Sequence, residues 1–144
     1  MPFVLSNLPR WWAGLAVLAV ATGSGCGARK PVRAAIPRIG YEQRGVASWY
    51  GAPYHGRRTA SGEIYDMDKH TAAHQTLAFG IRVRVHNLDN GKTTEVRIND
   101  RGPFVKGRII DLSRAAARSI DMIGPGTARV RISVIGVPGT PGTN

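Results

Sequence analysis

From residue 44 onward, apolar and polar side chains alternate along much of the chain. Val46, Ser48 and Tyr50 alternate with Ala47 and Trp49. In Ile81-Arg82-Val83-Arg84-Val85-His86, the apolar residues share one face and the basic residues the other. A period of two predicts strands with one buried face. Thr93 to Ile98 is a further strand. The segment before it, Asn87-Leu88-Asp89-Asn90-Gly91, carries the Asn-Gly pair that favours a hairpin. Arg129 to Ile135 alternates again, and Gly107 to Leu112 reads as a short apolar strand. One helix stands out. Ser113 is placed to cap it, Arg114-Ala115-Ala116-Ala117-Arg118-Ser119-Ile120 has high propensity, and Gly124-Pro125 ends it. Phe79 to Val85 echoes Gly126 to Ile132, each a glycine turn feeding an Arg-Val-Arg strand. Together these features predict a mainly β fold, a small closed barrel with internal pseudo-symmetry and one or two short helices. Closure removes exposed strand edges.

The two ends differ from this core. Arg10 is the one charge among residues 1–26, and Trp11 to Ala21 is an unbroken run of 11 apolar residues and glycine. A membrane-spanning helix needs about 20 residues, so the run fits the apolar region of a secretory signal. The single Cys follows in Gly23-Ser24-Gly25-Cys26. A lone Cys there resembles a bacterial lipoprotein box, with Cys26 as the lipid attachment site. Gly23 departs from that box, which usually has an apolar residue at this position. The other reading is an ordinary signal peptide cut after Ala21, leaving Cys26 as a free thiol. Residues 27–43 hold Pro31, Pro37 and four basic residues against Glu42, and read as a flexible basic tether. Residues 137–144 read as a disordered tail. The core, 44–136, carries 15 Lys and Arg against 8 Asp and Glu, an excess of seven positive charges. Such an excess suits an acidic partner. Export and the lack of aromatics interleaved with Lys and Arg argue against nucleic acid.

Candidate chemistry gathers in two stretches. Asp100 ends the strand at Ile98-Asn99-Asp100-Arg101-Gly102-Pro103-Phe104. An acid held there can protonate a glycosidic oxygen if burial or a second carboxylate raises its pKa. It can equally cap the Gly102-Pro103 turn by accepting backbone N–H groups. Arg101 is next to it, but neighbours on a strand point to opposite faces. Glu63 and Asp66 flank Tyr65 and serve either as substrate ligands and a second carboxylate, or as a solvated loop. His74 is either a hydrogen-bond partner for substrate or a structural histidine. Trp49, Tyr50, Tyr54 and Tyr65 suit stacking on sugar rings or filling a core. Asp111 is most simply part of the helix cap. No metal-ligand spacing is apparent, and no cofactor is expected.

Several strings, in order across the core, are similar to the rare lipoprotein A (RlpA) family of bacterial envelope proteins. They include Gly45-Val46-Ala47-Ser48-Trp49-Tyr50-Gly51, Thr59-Ala60-Ser61-Gly62-Glu63, Tyr65-Asp66-Met67, Thr71-Ala72-Ala73-His74, Asn99-Asp100-Arg101-Gly102-Pro103 and Arg108-Ile109-Ile110-Asp111-Leu112-Ser113. The resemblance implies a six-stranded double-psi β-barrel over 44–136, as in expansins. It also implies lytic transglycosylase activity on peptidoglycan glycan strands, leaving 1,6-anhydro ends. The family's functional positions fall on Glu63, Asp66, His74 and Asp100. Asp100 and Glu63 are then the expected catalytic residues, supported by Asp66, His74, Tyr65 and Arg101. The implied location is the periplasmic side of a bacterial envelope, lipid-anchored through Cys26 to the outer membrane, with division-machinery proteins as further partners. Many members add a C-terminal glycan-binding module; the chain ends just after the barrel, so septal targeting and a taste for peptide-stripped glycan are not carried over. A non-catalytic, expansin-like peptidoglycan-binding barrel is the alternative.

Overall fold

The computed structural model describes residues 37–139. The leader, its Cys26 and most of the expected tether lie outside the described residues. Six strands form a closed barrel: β1 (Glu42–Tyr50), β2 (Thr71–His74), β3 (Arg82–Asn87), β4 (Thr93–Asp100), β5 (Arg108–Ser113) and β6 (Ala128–Gly136). A 3-10 turn covers Ala52–Tyr54, and the helix α1 covers Arg114–Ser119. Around the ring the order is β1-β5-β2-β4-β3-β6. The pairs β1–β5 and β2–β4 are parallel, and the other four are antiparallel. Exchanging the first three strands for the last three maps this ring onto itself. The Arg-Val-Arg echo lies on β3 and β6, the strands that exchange.

Alternation explains the core. Val83, Val85, Val96, Ile98, Ile110, Leu112, Val130 and Ile132 project inward and are buried. Ala116 and Ala117 of α1, with Ile120 at its C-cap and Met122 beyond, close the packing. The outward residues of β3 and β4 pair across the strands, with Arg82 and Arg84 both donating to Glu95. Asn90-Gly91 turns the β3–β4 hairpin with Gly91 at φ +77°. Ser113 caps α1, its hydroxyl accepting from Ala116 N at 3.3 Å. The helix ends at Ser119, before Gly124, because Asp121 enters the left-handed region at φ +53°.

Three segments differ from the sequence expectation. β1 begins inside the stretch read as tether, since Glu42 and Gln43 pair with Ser133 and Ile132 of β6. At the other end, Val137 packs against the core, and Pro138 lies so close to Gly80 that a Cβ there would sit 3.0 Å from its ring. Order therefore continues past the expected start of the tail. Thr71-Ala72-Ala73-His74, not read as a strand from the sequence, is the fully buried strand β2 between β4 and β5. Buried on both faces, it shows no alternation to read.

Candidate functional site

Asp111 sits between the inward-facing Ile110 and Leu112, so it faces outward from β5. The ladder sets it opposite Ser48 of β1 on one side and Ala73 of β2 on the other. Ala73 is in turn opposite Asp100 of β4. The β2–β4 register skips Asn99 between Ile98 and Asp100, a bulge that re-aims the end of the strand. The result is a row, Asp100–Ala73–Asp111–Ser48, across four neighbouring strands. All four residues line one open cleft of about 1040 Å³. The two aspartates are two strand spacings apart, about 10 Å between backbones. The alanine between them leaves the floor open.

Asp100 is a backbone acceptor at the end of β4, close to the turn-capping reading of its sequence. Its Oδ1 accepts the N–H of Ala60 at 2.9 Å and of Arg101 at 2.8 Å. Its Oδ2 has no partner among the described residues. The carboxylate is thus anchored by one oxygen and free at the other. Asp111 is half-buried and accepts from Arg108 Nη2 at 2.9 Å, while its Oδ1 is buried without a partner. Burial pushes its pKa above the usual carboxylate range, and Arg108 opposes part of that rise. Asp111 is therefore not part of the helix cap, as expected above; that place belongs to Ser113. The missed signal lay in the alternation: apolar residues at 110 and 112 force 111 outward.

Tyr50 shares the cleft. Its ring lies 4.4 Å from that of Tyr65 and meets Tyr54 edge-on at 5.9 Å. Its hydroxyl is buried and unpartnered. Burial, then the charges of Asp100, Tyr65 and Asp111, push its pKa far above that of an ordinary phenol. It therefore stays a hydrogen-bond donor at any physiological pH. Tyr65 is buried and donates its hydroxyl to Tyr50 O at 2.6 Å, which fixes the cleft wall. Tyr54 and Phe104 stand exposed on the rim, 51 % and 85 % accessible, and present flat aromatic faces to the cleft.

Three of the other expected site residues, Glu63, Asp66 and His74, are elsewhere. Glu63 is not in the cleft lining. Both its oxygens are taken by Arg97, at 2.5 and 2.9 Å, and Asn99 adds a bond at 3.2 Å. Those bonds hold its pKa below the usual range. Its backbone still serves the site, because Glu63 O accepts Thr59 N at 2.7 Å in the loop that presents Ala60 to Asp100. Asp66 closes a local turn by accepting Asp68 N at 3.0 Å. His74 is buried, with Nδ1 accepting from Thr76 N and Leu77 N and Nε2 bonded to Gln43 Oε1. Arg101 touches the cleft, but its guanidinium donates to Leu77 O at 2.9 Å and stacks over Phe79 at 3.8 Å. It leaves the Asp100 carboxylate to its backbone N–H.

Residues 42–132 match the family described as "Lytic transglycolase". An endolytic peptidoglycan transglycosylase RlpA of Helicobacter pylori (strain J99) is 57 % identical over 101 residues, 70 % of this chain and 32 % of the relative. One of Vibrio cholerae is 59 % identical over 98 residues, 68 % of this chain and 37 % of the relative. The chain thus spans about a third of the length of these curated relatives. Among solved structures, a Streptomyces papain inhibitor aligns with a TM-score of 0.59 at 23 % identity, over 71 % of this chain and all of that one. An expansin of Clavibacter michiganensis aligns at 0.55 and 20 %, over 70 % and 54 %. At such identities these two speak for the barrel alone.

Proposed function

The chain belongs to the rare lipoprotein A family of lytic transglycolase barrels, and on that premise we propose that its cleft cleaves peptidoglycan glycan strands without water. The bond is the β-1,4 link between N-acetylmuramic acid and N-acetylglucosamine. The observation that carries this reading is the row Asp100–Ala73–Asp111, two carboxyl groups flanking an open floor in one cleft.

Asp100, held by Oδ1 and free at Oδ2, is the acid. It gives its proton to the glycosidic oxygen as the C1–O bond breaks. Now a carboxylate, it takes the proton of the muramic 6-hydroxyl as that oxygen bonds to C1. The product is a 1,6-anhydro end, and the acid is regenerated. Asp111 takes the part expected of Glu63 or Asp66, facing the positive charge that develops at C1. The Tyr50 hydroxyl, with no partner of its own, donates to a sugar oxygen. Glu63 is a positioning residue whose loop carries Ala60 to Asp100. Tyr54 and Phe104 hold neighbouring sugars. Exported through its leader and anchored at Cys26, such a protein works from the periplasmic side of the outer membrane, alongside the division machinery.

Mass spectrometry of fragments released from sacculi tests this reading. The chain is expected to release anhydro-ended fragments. Asp100→Asn and Asp111→Asn each lower release by about 100-fold or more. Full release by Asp100→Asn overturns the assignment of the acid. Fragments one water heavier point to a hydrolase. Binding with no fragments points to the expansin-like binding barrel.

A further inference from the structure

Five arginines and two aspartates line the cleft, an excess of three positive charges. Two of the arginines are occupied. Arg108 pairs with Asp111, and Arg101 serves Leu77 O and Phe79. The other three, Arg57, Arg58 and Arg114, have no carboxylate partner among the described residues. This contrasts with the barrel surface, where Arg82 and Arg84 share Glu95, Arg97 holds Glu63 and Arg129 holds Asp89. Arg44 and Arg118 also lack a carboxylate among the described residues, but neither lines the cleft.

The three cleft arginines are placed by neighbouring contacts. Arg57 lies over the Tyr54 ring at 5.7 Å. Arg58 spends one N–H on Gly62 O at 2.6 Å, which orients the rest of its guanidinium. Tyr65 N–H donates to Arg57 O at 2.8 Å, and Met67 O, two residues further on, accepts Ala115 N at 2.9 Å beside Arg114. Arg114 has no acid in its own first turn to pair with. A neutral sugar offers a guanidinium only hydroxyl and amide oxygens. A carboxylate offers the paired acceptors that a guanidinium fits best.

We propose that Arg57, Arg58 and Arg114 form a carboxylate subsite on the wall of the cleft, which reads an acidic group carried by the glycan strand. The inference rests on the glycan-cleaving reading above and names what that cleft selects. A peptidoglycan strand offers two sources of this chemistry: the lactyl carboxylate of muramic acid where the stem peptide is gone, and the carboxylates of the stem where it remains. Both reach the protein from the same sugar, so position alone does not separate them.

Equilibrium binding to defined strands separates them. The intact chain carrying Asp100→Asn is used as the parent, so that nothing is cleaved during the measurement. The probes are peptide-stripped strands, peptide-bearing strands, and each of these after its carboxylates are converted to amides. The parent is expected to bind at least one acidic strand about tenfold more tightly than its amidated form. Arg57→Gln with Arg114→Gln, in the same background, brings that ratio to within twofold and leaves affinity for the amidated strand unchanged. Arg44→Gln with Arg118→Gln removes the same net charge and keeps the ratio. The strand that shows the preference identifies the source. The proposal is overturned if the parent shows no preference, if the cleft variant keeps it, or if the distant variant loses it equally. Fragments released from amidated strands by the chain with Asp100 intact report cleavage separately, so failure of the subsite and failure of the enzyme reading are distinct results.

Discussion

His74 illustrates how a residue's surroundings decide its role. Two backbone N–H groups and a glutamine use both its ring nitrogens, and burial followed by the charge of Arg101 pushes its pKa down to about 4. The folded protein therefore keeps the imidazole neutral where the unfolded chain, near 6.5, takes up a proton. Its contribution to stability is complete above pH 6.5 and is lost as pH falls towards 4, at most about 3 kcal/mol. Asp111, raised by burial, works in the opposite sense, and so softens this loss. Urea unfolding between pH 7.5 and 4.5 is expected to show stability falling with acid. Imidazole NMR is expected to show His74 still neutral at about pH 5. If His74 titrates near 6.5, the buried neutral assignment is wrong.

At the scale of the element, β2 does the most with the least side chain. Its four residues join β4 to β5, and so join Asp100 to Asp111. Ala73 lies between the two carboxyl groups, nearly buried at 4 % exposure and on the cleft floor. Ala73→Val places two methyl groups where the scissile sugar would sit. Valine suits a strand at least as well as alanine, so the fold is kept. Cleavage is expected to fall by about 100-fold with the melting temperature within a few degrees of the parent. Unchanged release by the valine variant would show that the reaction does not use the floor between the aspartates.

The barrel is basic, with an excess of seven positive charges over 44–136 within a formal net charge of +11 for the full chain. Its ion pairs sit largely on the exposed face of the sheet, so the charge left over is available to an acidic polymer. Raising salt from about 0.05 to about 0.5 M shortens the screening length about threefold. Sedimentation with sacculi is expected to weaken by roughly tenfold over that range, while thermal unfolding moves little, since a neutral apolar core holds the barrel. Salt-independent sedimentation would instead assign binding to the rim aromatics Tyr54 and Phe104.

Local rules reached far along this chain. Alternation located β3, β4 and β6 and most of β1; a short apolar run located most of β5; Asn90-Gly91 located the hairpin; Ser113 located the helix start. The ordered motifs pointed to the family and to Asp100, because a strand end before a Gly-Pro turn is legible from neighbours alone. Register was not legible. Only pairing between distant strands sets Asp111 beside Ala73 and Asp100, and only the skipped Asn99 turns Asp100 onto the same face. Glu63 was expected beside Asp100 as a second carboxylate, and His74 as a supporting residue. Arg97 and Asn99 claim the first, and burial with Gln43 claims the second. Types and order of residues thus determined the fold and the family. The ladder, which acts between residues far apart in the chain, decided which acids share a cleft.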